Sequence, residues 1–302
     1  MISRHFFRWT AALVSIVAIA ACAQQQPQFT GQRTLHESTS AFNQLYVTEE
    51  TDGLRTLRFE RYGARQSVVK PGDPEHLELV YSRVAMASLV LSGEPRNVLI
   101  FGLGGGSIPM FLRNRYPDAN IDVVDIDPGV VTVATKYFGF RQDAKLKAHV
   151  MDAREFAEKV RKPTYDLVFL DAFGRDSVPV HLTTVEFLRA VHNAMTPNGV
   201  AIGNVWGRAF NRLYDPMIRT YQETFEDLYI LDGQGDVNKI VLGLKRKVDI
   251  NQKQFAEQAR ALSKAKGFRF DVGALVELGF VHALERDPAQ SVLRDAELVS
   301  RP

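Results

Sequence analysis

The sequence has one cysteine, two tryptophans and no pair of histidines at metal-ligand spacing. A single thiol, Cys22, leaves nothing for an internal disulfide or a cysteine-rich zinc site. His36, His76, His149, His181, His192 and His282 are scattered along the chain, so no metal site is expected. An excess of one charge is also missing, with 37 Lys and Arg against 35 Asp and Glu. No basic stripe is present to follow a phosphate backbone, and nucleic acid is not an expected partner. Internal repeats and long low-complexity tracts are absent too. What remains is 302 residues, 45% hydrophobic, enough for one large domain or for one large and one small.

The N-terminus stands apart. Arg4 and Arg8 precede an apolar stretch from Trp9 to Ala21, which is short for a bilayer span. It ends in Ile19-Ala20-Ala21-Cys22, followed by Ala23 and the polar run Gln24 to Gln28. That tetrapeptide resembles the lipobox of bacterial lipoproteins. The expectation is a signal peptide over 1–21, lipidation at Cys22, and export to the bacterial cell envelope with a lipid anchor in the membrane. A plain secretory signal and an uncleaved anchor helix remain open, and without a working signal the protein stays cytoplasmic. Removing 1–21 deletes two basic residues and no acid, leaving thirty-five of each sign.

After a linker over 22–34, the segment 35–76 carries short alternating strands at Gln44–Thr48, Leu54–Phe59 and Arg65–Val69. Asp52-Gly53 is a hairpin turn and Pro71-Gly72-Asp73-Pro74 a stop, which predicts a small β-meander. Apolar residues at helical spacing from Leu79 to Val90 predict a helix over 77–91. From Arg96 the pattern alternates. Apolar strands at 98–101, 121–124, 146–151, 166–170 and 200–205 are separated by helical stretches near 106–115, 128–138, 153–161, 183–195 and 213–225. Two more strands (228–231 and 238–244) and a helix (251–265) follow. This is an α/β pattern: a mostly parallel sheet covered by helices on both faces, in a Rossmann-like domain over 77–288. The tail, 289–302, is expected to be loose.

The first of these strands runs into Gly102-Leu-Gly104-Gly105-Gly106-Ser107, where a tight glycine turn opens a helix. A dinucleotide fingerprint requires a third glycine where Ser107 stands, which disfavours an NAD-linked oxidoreductase. Gly102-x-Gly104-x-Gly106 is the class I methyltransferase-type variant. Asp125 ends the second strand about 20 residues later, the place from which an acid accepts ribose hydroxyls. Asp127, before Pro128, is expected as a helix cap. Asp152 ends the third strand, as either an adenine ligand or a cap, and Asp171 ends the fourth. Carboxyl ends of neighbouring parallel strands share one crevice, so Asp125, Asp152 and Asp171 are expected to face a common pocket.

From His36 to Val205 the chain resembles the spermidine synthase (polyamine aminopropyltransferase) family. Phe42-Asn43-Gln44, Gln66, Tyr81, Val123 to Pro128, and the run Pro179, Leu182, Thr183, Glu186-Phe187 carry the likeness in order. The resemblance implies decarboxylated S-adenosylmethionine, or the intact form, as co-substrate, with no tightly bound cofactor. Its nucleotide would meet Gln44, Gly102, Gly104, Gly106, Asp125, Ile126, Asp152 and Ala153. Gln66 and Tyr81 would meet a small-molecule amine, and Asp171 would be the general base that deprotonates it. A homodimer is likewise implied.

The departures lie on the amine side. Gly105 and Gly174 stand where the family has acids, and Arg83 and Ala87 stand where it has Glu and His. A dicationic amine is recognised by carboxylates. Gly105 would also tolerate the carboxylate of intact S-adenosylmethionine. The expected function is therefore a spermidine-synthase-like transfer of an aminopropyl, or less readily a methyl, group to an amine. The alternative is an exported relative that binds nucleotide, or serves structurally, without catalysis.

Overall fold

The computed structural model describes residues 31–174, 177–233 and 237–298. The expected signal peptide over 1–21 and the expected lipidation site Cys22 lie outside the described residues. Four strands open the described chain: β1 (Arg33–Thr39), β2 (Gln44–Glu49), β3 (Arg55–Arg58) and β4 (Arg65–Val69). They form one antiparallel sheet in that order. Sequence pattern misses β1 because Leu35 is its one apolar residue; it exists through backbone pairing with β2, with a bulge between Thr34 and His36.

The single helix expected over 77–91 is split into α1 (Val80–Ala85) and α2 (Ser88–Ser92). Between them the bonding tightens, with Met86 and Ala87 donating to carbonyls three residues back. The Ser82 and Ser88 hydroxyls also bond back to backbone carbonyls, which competes with regular helix.

The second sheet begins with β5 (Asn97–Phe101), α3 (Ser107–Arg115), β6 (Asn120–Asp125), α4 (Pro128–Val133) with a π-turn over Ala134–Phe138, and β7 (Leu146–Val150). It continues with α5 (Ala153–Lys159), β8 (Tyr165–Leu170), α6 (Val185–Ala194), β9 (Met195–Trp206), α7 (Tyr214–Thr224), β10 (Asp227–Asp232) and β11 (Asn238–Leu244). Then come α8 (Gln252–Lys266), α9 (Val272–Leu278), β12 (Phe280–His282) and α10 (Asp295–Leu298). The order across the sheet is β12-β10-β11-β9-β8-β5-β6-β7. Strands β5 to β9 run parallel, and β10 to β12 are added antiparallel on one side. This is an α/β fold with a mostly parallel sheet, as the alternation predicts.

Period-two alternation divides the core between the two faces. Val98 and Ile100 of β5 join one apolar cluster with Val123, Phe169 and Ile202, while Leu99 and Phe101 join the other with Val124, Val168 and Ala201. Both faces are dry, which is why these strands read as continuous apolar runs. The chain leaves β5 toward β6 and β7 on one side, and returns to β8 and β9 on the other. The switch point at β5 and β8 opens a crevice beyond their carboxyl ends.

The segment after residue 288, expected to be loose, is tied down as far as α10. Leu293 is 2% exposed, and its backbone bonds the Thr220 hydroxyl and the Val185 N–H. Asp295 takes both terminal nitrogens of Arg154. Among the described residues no helix is long and apolar enough to cross a membrane.

Candidate active site

A cavity of about 320 Å³ sits at the switch point and is also lined by residues of β4 and α1. That volume is at the lower end of small-molecule sites. Its floor is the turn after β5. Gly102 has φ +94°, and a Cβ there would lie 2.3 Å from the Asp171 carbonyl oxygen. The Asp171 N–H donates to the Phe101 carbonyl at 2.9 Å, so the ends of β5 and β8 touch through backbone. Gly104, at φ +53°, brings the loop against Ser67 of β4. Ser107, Ile108 and Pro109 present the first turn of α3 to the cavity.

Asp125 lines the cavity at the end of β6. Its Oδ2 accepts the Leu103 N–H and its Oδ1 the Asp127 N–H, both at 2.9 Å. Burial pushes its carboxyl up to about 6, against the pull of those two N–H groups. Asp127 caps α4 through the Gly129 N–H, and takes the Ser40 hydroxyl (2.5 Å) and the Asn43 amide (3.1 Å) on its other oxygen. That contact ties the turn between β1 and β2 to the N-terminus of α4. Asp152 caps α5 through the N–H groups of Arg154 and Glu155, while its Oδ2 lies 2.9 Å from His181 Nε2. Burial pushes its carboxyl up, but the His181 hydrogen bond and the backbone donors outweigh that and hold it below the usual carboxylate range. Cap and cavity wall are thus both true of Asp152.

Asp171, half-buried at the end of β8, has a donor on each oxygen. The Tyr81 hydroxyl reaches Oδ2 at 3.0 Å, and Asn204 Nδ2 reaches Oδ1 at 2.8 Å. Asn238 Nδ2 in turn donates to Asn204 Oδ1 at 2.8 Å. Burial pushes the Asp171 carboxyl up to about 6, opposed by its two donors. At pH 7 such a group is about nine-tenths ionised, yet close enough to neutrality to take and release a proton. The Tyr81 hydroxyl is pushed well up by burial and by the Asp171 charge, so it stays a donor.

Of the residues singled out in the sequence, Gly102, Gly104, Asp125, Ile126, Asp152, Ala153, Gln66, Tyr81 and Asp171 line this one cavity. Two do not. Gln44 is exposed and accepts the Tyr46 hydroxyl, because the turn fixed by Ser40 and Asp127 sends the preceding residue, Asn43, to the cavity instead. Gly106 forms the start of α3, where a Cβ would press on the Phe140 ring at 2.9 Å.

The departures also look different in three dimensions. A Cβ at Gly105 would meet Ser67, Val69 and Phe138, each at 3.0 Å, so this position faces β4 and the π-turn rather than the cavity. Gly105 therefore gives no room for a donor carboxylate along that direction. Arg83 turns away to donate to the Glu78 carbonyl, and Ala87 is buried in the core, so neither lines the cavity. Gly174 donates to the Ser177 carbonyl and also stays out of the wall.

Asn204, Asn238 and Phe173 are cavity residues that sequence reasoning passes over, and His181, just after the loop that carries Asp171, lines the cavity with them. Asn204 had a signal: it is the one amide within the apolar strand Val200–Val205, and a polar residue inside such a run needs a partner. Phe173 stacks on Trp206 with centroids 5.7 Å apart and planes at 28°. Among the described residues no group of His, Cys, Asp and Glu is placed to hold a metal ion.

Residues 78–206 match the family model described as the spermine/spermidine synthase domain. The polyamine aminopropyltransferase of Vibrio vulnificus is 33% identical over 251 residues, covering 81% of this chain and 83% of that protein. A probable spermidine synthase from Corynebacterium glutamicum shares the fold, with TM-score 0.68 at 18% identity over 85% of this chain and 95% of that one. Human methyltransferase-like protein 13, solved in complex with SAH, superposes with TM-score 0.55 at 28% identity, over 63% of this chain and 90% of that one. Relatives by name are thus transferases of both aminopropyl and methyl groups. With the glycine loop, Asp125 and Asp171 gathered at one switch-point cavity, and with that extent of likeness, the chain belongs to the spermidine synthase (polyamine aminopropyltransferase) family.

Proposed function

We propose that this protein transfers an alkyl group, aminopropyl in the first reading, from an adenosyl-sulfonium donor to an amine nitrogen. One observation carries the reading: Asp171, ionised and gripped by Tyr81 and Asn204, shares a cavity with the glycine loop and Asp125. The donor's adenosine lies over Gly102–Gly104, with its ribose hydroxyls on Asp125 and its base near Asp152. The acceptor arrives as an ammonium, which has no lone pair. Asp171 takes its proton, and the freed nitrogen attacks the carbon next to the sulfonium. The C–N bond forms as the C–S bond breaks, its electron pair going to sulfur, so a neutral thioether leaves. The donor's positive charge passes to the product ammonium, and the proton on Asp171 is released to solvent.

The likeness to an SAH-bound methyltransferase supports methyl transfer as the second reading. The two differ in donor: decarboxylated S-adenosylmethionine gives methylthioadenosine, and the intact form gives S-adenosylhomocysteine. We also propose export, with Cys22 as the lipid anchor. In cells, Cys22→Ala should then abolish labelling by a fatty acid and release the protein from the membrane fraction. An unlabelled wild type refutes the anchor.

Calorimetry of both donors and both thioether products on the purified chain tests the nucleotide site, and mass spectrometry of incubated amines tests the transfer. Micromolar binding of one donor, with the matching mass gain on an amine, is the expected result. Absence of binding by all four nucleotides refutes the transferase. Binding without any product on amines favours the non-catalytic relative.

A further inference from the structure

We propose, resting on Asp171 as the base, that the acceptor is an amine with a single positive charge on a flat or apolar body, rather than a diamine. The wall beside Asp171 comes from the segment just after β8 and from β9 and β11. Asn204 and Trp206 are two apart on β9 and so share a face; Trp206 is paired in register with Asn238. Phe173, two residues past Asp171, lies nearly parallel on the Trp206 ring, and all five of these residues line the cavity.

Charge bookkeeping along the wall points the same way. A second ammonium in a partly dehydrated cavity requires a carboxylate, since leaving it unpaired costs several kcal/mol. Among the described lining residues, the carboxylates are Asp125, Asp152 and Asp171. The first is bound to two backbone N–H groups in the glycine loop region, and the second to a helix N-terminus and His181. The third is needed for the reacting nitrogen itself. The remaining formal charge is Arg65, of the same sign as an ammonium. The Asn204 carbonyl, a neutral substitute, already accepts from Asn238.

What the wall does offer is a neutral aromatic surface. An aromatic body stacked on the Phe173–Trp206 pair gains about two- to ten-fold in affinity beyond its buried area, and a saturated chain keeps the area contribution alone. Recognition there is by shape and dehydration. The single charge is spent on Asp171.

The test is a ternary one on the full chain. With methylthioadenosine saturating, affinities are measured by calorimetry for 2-phenylethylamine, butylamine and 1,4-diaminobutane. The expected order is 2-phenylethylamine tightest, by about ten-fold over the diamine, with the diamine no tighter than butylamine. Trp206→Ala should cost 2-phenylethylamine about ten-fold while leaving methylthioadenosine within about two-fold. A diamine binding ten-fold tighter than butylamine overturns the proposal, because its second charge has then found a carboxylate. Asp176, five residues past Asp171 in the sequence and outside the described residues, is the next acid along the chain. Repeating the ranking with Asp176→Asn should leave it unchanged, and diamine affinity that depends on Asp176 overturns the proposal as well. If methylthioadenosine binds and no amine does, the acceptor proposal fails alone. If methylthioadenosine itself does not bind, the transferase reading fails and this proposal with it.

Discussion

Replacing Asp171 by Asn separates the proposed base from the scaffold around it. The amide keeps the shape of the carboxylate. Its oxygen can take the Asn204 amide, and its NH2 can face the Tyr81 hydroxyl, which then accepts instead of donating. The hydrogen bonds at 2.8 and 3.0 Å therefore survive in number. What disappears is a titratable charge. Its carboxyl titrates at about 6 rather than 3.8, a difference of roughly 3 kcal/mol against the charged form, reduced to about 1–3 because the cavity admits solvent.

The sign follows from proton counting. Between pH 4 and pH 6 the native state holds a proton on Asp171 that the unfolded chain has released, so this group's contribution to stability falls as pH rises through that window. Asp171→Asn should therefore match wild type in Tm near pH 4 and exceed it by a few degrees at pH 7. Turnover should drop by about a hundred- to ten-thousand-fold, with methylthioadenosine affinity nearly unchanged. In the wild type, kcat/KM should fall as pH drops below about 6. Differential scanning fluorimetry across pH, together with a product assay, reads all of these. A Tm gap that does not grow between pH 4 and pH 7, or a variant with more than a tenth of wild-type turnover, would refute the argument.

Other substitutions probe the rest of the site and fold. Gly102→Ala puts a methyl 2.3 Å from the Asp171 carbonyl at φ +94°, so β5 and β8 must separate; a stability loss of about 3 kcal/mol or more is expected by chemical denaturation. Asp125→Asn should weaken nucleotide binding by about 1.5–3 kcal/mol, read by calorimetry, through loss of a charged acceptor for the ribose. Leu293→Ala removes a fully buried side chain from the docked tail and should lower stability by about 2–5 kcal/mol, whereas a loose tail would show no change.

The parallel half of the sheet was legible in the sequence because both its faces are buried, so five apolar runs could be placed to within a few residues. The glycine loop and the strand-end aspartates were legible for a related reason: the fold fixes where strand ends converge, whatever the side chains. Contacts made across the fold were not. His181 meets Asp152 only because the turn after β8 folds back over α5, and Asn238 reaches Asn204 only through antiparallel pairing of β11 with β9. Gln44 and Asn43 differ by one residue, and that choice is made by Asp127, 84 positions away from Asn43. Leu293 sits with Val292 in a short apolar pair between polar segments, with no longer periodicity to announce its burial.

The contact between Gly102 and the Asp171 carbonyl has a consequence for how such a protein can change. In the proposed reaction, the spacing between the glycine loop that would hold the donor and the Asp171 carboxylate is set by main chain on two adjacent strands, and side-chain replacement cannot easily lengthen it. The surface proposed to select the acceptor is supplied mainly by two other strands, β9 and β11. On that reading, divergence can rewrite the acceptor wall one side chain at a time while the glycine loop and Asp171 keep their spacing.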